Sequence, residues 1–164
     1  MGDTRGPAAQ DNGRRADRLE LRVPTTATQL PAVRAMAGDL AMRMDYDLDA
    51  VEDLRLAVDE ACATLAAIAA GDAPLTVVFE TTRAGLHIEA WVPTANGQDV
   101  PRDGFGWAVL ATLVDAVDGR PSTQADVPAG DGSEAPVAVI AMDKYLPGQR
   151  PPGREAGQTL SVAR

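Results

Sequence analysis

The sequence predicts an α+β fold: a two-layer α/β sandwich with helices on one face of a mostly antiparallel sheet. Three observations lead there. The apolar residues change period along the chain, giving the order strand, helix, helix, strand, strand, helix, strand. Two of those strands follow one another across a short turn at 82–85, a hairpin rather than the alternation of a doubly wound parallel sheet. The helical stretches carry apolar stripes, and a stripe needs a sheet face or another helix to cover it.

The elements are justified in turn. Leu19, Leu21 and Val23 alternate with Glu20 and Arg22, a short half-buried strand that Pro24 stops. Thr25 or Thr26 is placed to cap a helix. Leu30, Val33, Met36, Leu40 and Met44 then recur at three- and four-residue intervals, and Pro31 fits only in the first turn. In the second helix Asp49 and Glu52 make a capping-box-like pair. Val51, Leu54, Val58, Ala61, Leu65 and Ile68 form its apolar face, and Gly71 is placed to end it. Residues 75–80 and 86–92 read as the two strands of the hairpin. An irregular loop follows at 93–103, then a third helix at 106–117 carrying Val109, Leu110, Leu113, Val114 and Val117. Residues 118–136, rich in Gly, Pro, Asp and Ser, read as a loop, and 137–142 as a last apolar strand.

The 164 residues suit one domain with tails: a charged disordered arm at 1–18, a domain at 19–147 and a flexible tail at 148–164 after the Pro- and Gly-rich break. The net charge of -9 repels phosphate backbones, so direct nucleic-acid binding is not expected, whereas a basic protein surface would be attracted. One cysteine, Cys62, excludes an internal disulfide, and a single histidine, His87, argues against zinc. No stretch approaches the roughly 18 apolar residues of a membrane span, and a cytoplasmic location with no membrane partner is the expectation.

At about 100° per residue, Asp53, Ala57, Glu60, Thr64 and Ala67 share a face of the second helix away from its apolar stripe. Small alanines beside a carboxylate and a hydroxyl leave room for a ligand, and the carboxylate can serve as a general base. The alternative is an ordinary solvated acidic face. Gly104 and Gly106, at the entrance of the third helix, allow phosphates close to the backbone, or simply form a tight turn into a helix. Cys62 reads as a redox or crosslinking site or as a small buried hydrophobe. His87 reads as a strand residue without a catalytic role, and Trp91 and Trp107 as core residues or contact anchors.

The run DLRLAVDEACATL, residues 53–65, resembles the N box of RsbW-like anti-sigma factors. These are serine-protein kinases of the GHKL (histidine-kinase-type, Bergerat) ATPase superfamily, and the likeness is to a divergent actinobacterial branch. The resemblance implies that Glu60 assists phosphoryl transfer. It places Thr64 where the family has an asparagine that ligates the magnesium bridging the ATP phosphates; a hydroxyl can also ligate that ion. In the family a DxGxG aspartate contacts adenine, and here Trp91 to Pro93 occupy its place. DGFGWAVLATLVDAVD, residues 103–118, resembles the family's GxG-plus-helix element, which sets Gly104 and Gly106 by the phosphates and matches Asp115 to a late acidic position. The loop between Trp91 and Phe105 is short for a mobile ATP lid.

The function so implied is sequestration of an alternative, stress-type sigma factor by a homodimer, countered by a STAS-domain anti-anti-sigma protein. ATP and Mg2+ serve the active relatives in phosphorylating a serine of that antagonist. Two alternatives stay open: an active serine/threonine kinase, and a nucleotide-free regulator with a partner other than sigma.

Overall fold

The computed structural model describes residues 17–150. Five strands form one antiparallel sheet: β1 (Asp17–Val23), β2 (Leu75–Thr81), β3 (Gly85–Pro93), β4 (Ala116–Thr123) and β5 (Pro136–Tyr145), in the spatial order β1-β2-β3-β5-β4. Three helices, α1 (Leu30–Arg43), α2 (Leu48–Ile68) and α3 (Phe105–Leu113), pack on one face. The expected α+β sandwich is therefore the fold. Most of the arm and of the tail, 1–16 and 151–164, lies outside the described residues, while Asp17 and Arg18 belong to β1.

Alternation divides the sheet. Leu86, Ile88, Ala90 and Val92 of β3 face the helices with Ala138, Ile140 and Met142 of β5, and they meet Val51, Leu54, Val58, Ala61 and Leu65 of α2 in the main core. The long second helix lies across the middle of the sheet because its whole apolar stripe is buried there. On the opposite face Trp91, Val127, Val137 and Val139 make a second, smaller core. The segment 124–135 supplies Val127 and covers this face, and Trp91 Nε1 donates to Pro128 O at 2.9 Å. Trp91 is thus a core residue.

Three local expectations are corrected. Neither Thr25 nor Thr26 caps α1: Gln29 holds the cap position without a side-chain bond, while Thr25 Oγ1 donates to Ala73 O and Thr26 Oγ1 pairs with Thr28. The cap of α2 is Asp47, whose carboxylate accepts from Ala50 N at 2.8 Å; Asp49 sits in the first turn, where a negative charge favours the helix dipole, and Glu52 pairs with Arg55. The helix then stops at Ile68, with Gly71 in a left-handed turn just beyond at φ +55°.

The third correction is the largest. The helix expected at 106–117 ends at Leu113, and residues 116–123, read as the end of that helix and the start of a loop, are strand β4. Val114 and Val117 fit either period, and pairing decides between them: Asp115 N donates to Asp143 O at 2.9 Å and Val117 lies opposite Met142. Gly119 and Pro121 hid the strand from a propensity reading. Both fit its place, since an edge strand tolerates proline. Any Cβ at Gly119 would stand 2.9 Å from two ring carbons of Trp107, which packs over it.

Candidate functional site

α3 runs back along α2, and the pairing is fixed at both ends. At one end Glu60 lies against Gly106, so closely that a Cβ at that glycine would fall on Glu60 Oε1. At the other end Lys144 Nζ bonds Asp53 Oδ2 at 3.0 Å and Leu113 O at 2.8 Å. The ammonium thereby sits at the carbonyl end of α3, where a cation is favoured, and joins β5, α2 and α3. Glu60 occupies the opposite, amide end, where a carboxylate is favoured.

Sequence reading placed Glu60 and Thr64 on one face of α2 and Gly104 and Gly106 at the start of α3. The fold brings Glu60 and Gly106 together. Thr64 lies one turn further along α2, half-buried. Gly104 is the N-cap of α3 with extended backbone, its carbonyl accepts from Ala108 N, and the space where its side chain would stand is open. The Phe105 side chain beside it is 85 % exposed. At the end of β3, Trp91 faces the second core and Val92 the main one. Thr94, next along, is buried, and its hydroxyl has no hydrogen-bond partner among the described residues.

Two groups escaped the sequence reading. Lys144 is the chain's one lysine, and that singularity among arginines was the available signal. Tyr46 Oη donates to Lys144 O at 2.5 Å and accepts from Leu86 N at 3.0 Å, and burial pushes its phenol up to about 12. Nothing in its sequence neighbourhood marks a tyrosine before a helix for that duty. A cleft of about 300 Å³ is lined by Tyr46, Asp53, Asp115 and Lys144, and a larger one of about 620 Å³ lies between β1 and the end of α1. Neither is lined by Glu60, Thr64, Gly104 or Gly106. Asp115 accepts from Tyr145 N at 2.7 Å, holding the turn from α3 into β4.

Cys62 is buried in the core, and desolvation, with Asp59 nearby, pushes its thiol up to about 12. It is a small apolar residue in this fold, held as thiol and inaccessible to oxidant or partner.

His87 sits on the face of the sheet away from the helices, in a charged cluster. Its Nδ1 lies 2.6 Å from Asp143 Oδ1, its Nε2 3.9 Å from Glu89 Oε2, and Arg120 links Glu89 to Asp118. Burial alone would push the imidazole down, but the Asp143 and Glu89 carboxylates outweigh it and raise it from 6.5 to about 9. A folded value above the unfolded one means the charged ring stabilises the fold fully below pH 6.5, and this is lost as pH rises through about 9. The urea midpoint is expected to fall across that window, and His87→Gln to flatten the fall. A variant whose pH profile matches the parent's would show that His87 is not the group responsible.

The comparisons with known proteins agree with this architecture. The model of the histidine kinase-like ATPase domain matches residues 23–127, and the chain belongs to that family. It is similar to the anti-sigma-F factor RsbW of Mycobacterium tuberculosis, 37 % identical over 106 residues, covering 62 % of this chain and 63 % of that protein. It is also similar to the serine-protein kinase RsbW of Bacillus velezensis, 25 % identical over 155 residues, 82 % of this chain and 89 % of that one. The serine-protein kinase RsbW of Bacillus cereus is 28 % identical over 126 residues, 63 % and 77 % of the two chains. The match to the mycobacterial relative spans about 63 % of that protein's length. The chain is thus an ATPase-like domain related to the RsbW anti-sigma factors. Among the described residues, no helix is long and apolar enough to cross a membrane.

Proposed function

We propose that this chain is an anti-sigma factor that sequesters an alternative, stress-type sigma factor and is itself displaced by a STAS-domain anti-anti-sigma protein, with residues 19–147 as the working domain. The observation that carries this reading is the 37 % identity to a protein named an anti-sigma-F factor, in a chain with the family's fold. Co-purification with an alternative sigma factor of the same organism, and release by a STAS-domain protein of that organism, tests it. A sigma factor that passes through unbound at micromolar concentrations of both proteins overturns it.

The approach of Glu60 to Gly106 favours a second reading, in which the chain is also the ATP-dependent serine kinase of its antagonist. Gly104 leaves room for a phosphate at the amide end of α3, and Thr64 offers a hydroxyl for Mg2+ one turn from Glu60. At Gly106 the Glu60 carboxylate already takes the approach, so a phosphate there needs a cation beside it. These residues suit Mg·ATP on the Gly104 side. Bound ATP would supply the phosphoryl group, while Glu60 takes the serine proton or orients the hydroxyl and Thr64 helps hold the metal. The end of β3 offers no carboxylate for adenine, since Trp91 and Val92 are both core residues, and this favours the clamp over the kinase. Calorimetry with Mg·ATP, with and without magnesium, separates the two. Saturable magnesium-dependent binding supports the kinase. In that case Glu60→Ala is expected to lower phosphotransfer to the STAS serine by about 100-fold or more, the usual scale for a general base, while leaving nucleotide binding measurable. Unchanged phosphotransfer would remove the role given to Glu60.

A further inference from the structure

The cleft of about 620 Å³ between β1 and the end of α1 takes no part in the chemistry described so far. Its volume is that of a small-molecule site. Its walls are sorted by chemistry, and the register of the sheet does the sorting. On the helix face Leu19 of β1 stands opposite Phe79 of β2, and Leu40 of α1 joins them in the walls. One step along the same face Asp17 stands opposite Thr81, where the turn into β3 begins. An apolar floor thus runs into a polar end within one repeat of the pleat.

That polar end is basic, in a chain whose net charge is -9. Arg18, Arg43 and Arg83 reach it from three places: the start of β1, the last turn of α1 and the β2–β3 turn. Asp17 and Asp45 also line the cleft, which leaves the arginines in excess by one. Arg43 pairs with Asp39 at 2.8 Å, an exposed pair of the kind worth little, so its guanidinium can turn to another anion. Among the described residues Arg18 and Arg83 make no ion pair. The backbone at Arg83 is held in place: Thr82 Oγ1 accepts from Ala84 N and Gly85 N, both at 3.2 Å, and Thr82 N donates to Gly85 O at 2.9 Å. The carbonyl end of α1 opposes an anion here, and Arg43 in its last turn offsets that.

The floor asks for something else. Leu19 points to the helix side and is still 43 % exposed, so apolar surface at the mouth is left uncovered. Met44, also in the walls, is a flexible side chain that adapts to an unbranched hydrocarbon. A basic end calls for an anion and an apolar floor for a hydrocarbon; one ligand supplies both when the anion ends the chain. Guanidinium groups take a carboxylate in paired hydrogen bonds. Residues 1–16, which lead into Asp17, hold no Leu, Ile, Val or aromatic residue to fill the floor.

We infer that this cleft binds a free carboxylate amphiphile with a single alkyl chain: the carboxylate among Arg18, Arg43 and Arg83, the chain along Leu19, Leu40 and Phe79. The site is separate from the residues of the anti-sigma and kinase readings, and its test reads ligand binding alone, so failure of either reading leaves it untouched.

Calorimetric titration of the full chain with decanoate, below its micelle concentration, is the measurement. One saturable site per chain is expected. Acetate, which lacks the chain, and decylammonium, which reverses the charge of the head, are expected to give no binding. Arg43→Gln with Arg83→Gln is expected to raise the decanoate dissociation constant about tenfold or more, through loss of charge-assisted contacts. Leu19→Ser is expected to raise it about threefold or more, through loss of apolar contact. All three side chains are exposed, so circular dichroism of both variants is expected to match the parent. No saturation by decanoate, equal binding of decylammonium, or a parental affinity in either variant overturns the inference. Binding to phosphatidylglycerol vesicles without binding to free decanoate would make this a membrane-facing patch, and overturns it too.

Discussion

Trp91→Ala is expected to lower the unfolding free energy by about 3–5 kcal/mol, the usual cost of removing a large buried aromatic side chain. Trp91 is 2 % exposed and is the largest member of the small core on the face away from the helices. Its partners Val137 and Val139 belong to β5, and Val127 to the segment 124–135. Its indole N–H also satisfies Pro128 O. Truncation therefore opens a cavity and unfastens the covering segment together. Urea unfolding followed by far-UV circular dichroism measures the loss. Trp91→Phe separates the two contributions: it keeps most of the contact and loses the hydrogen bond, at about 1–2 kcal/mol. A loss below about 1 kcal/mol for Trp91→Ala, where truncations of this kind cost several, would mean the second core contributes little and that 124–135 is held by other contacts.

The second large effect is expected at Gly85, where β3 begins opposite Tyr145. A Cβ there would collide with Lys144 O, and would stand 2.8 Å from Tyr145 Cα and 2.9 Å from Tyr46 Oη. Because two of the three obstacles are backbone, relief requires the β3–β5 pairing to shift. Gly85→Ala is therefore expected to cost about 3 kcal/mol, the upper part of the range for overpacking. Tyr46→Phe strips the hydroxyl that bonds Leu86 N and Lys144 O, and is expected to cost about 1–3 kcal/mol, the penalty for buried groups left unpaired. Since the new methyl and the hydroxyl compete for the same space, the double variant should lose less than the sum, with a coupling of about 0.5 kcal/mol or more. Strict additivity in urea unfolding would show that the hydroxyl and the Gly85 Cα do not share that corner.

The corner is also where sequence reading ended. Gly85 was legible as a turn residue, and Leu86 as the first inward residue of a strand. That Tyr46, 40 residues upstream, supplies their polar partner was not. Lys144 is the same case: its two bonds reach 91 residues back to Asp53 and 31 back to Leu113. Side-chain bonds over such separations follow from how the elements pack, and no local pattern encodes them. Of the four residues singled out for nucleotide chemistry, the sequence put each on the right element. The fold added that the Glu60 carboxylate meets the backbone at Gly106 and that Gly104 stays open.

What the sequence determined by itself is what periodicity can carry. The apolar stripe of α2, the alternation of β1 and β3, the apolar run of β2 and the hairpin turn specify two layers and an antiparallel sheet, because the stripe and the alternating strands each have one face to bury. What only the tertiary structure decided lies where local signals are ambiguous or weak. Ala116–Thr123 is a strand despite Gly119 and Pro121, because β5 offers it a pairing partner and Trp107 needs the space above Gly119. Asp47 rather than Asp49 caps α2, because the chain leaves α1 at a sharp turn through Asp45, at φ 61°, and arrives extended at Asp47. The second core around Trp91 exists because 124–135 returns across a sheet face that would otherwise be open to water. For Ala116–Thr123, contacts between residues distant in sequence overrule a preference worth only a fraction of a kcal/mol to about 1 kcal/mol per residue.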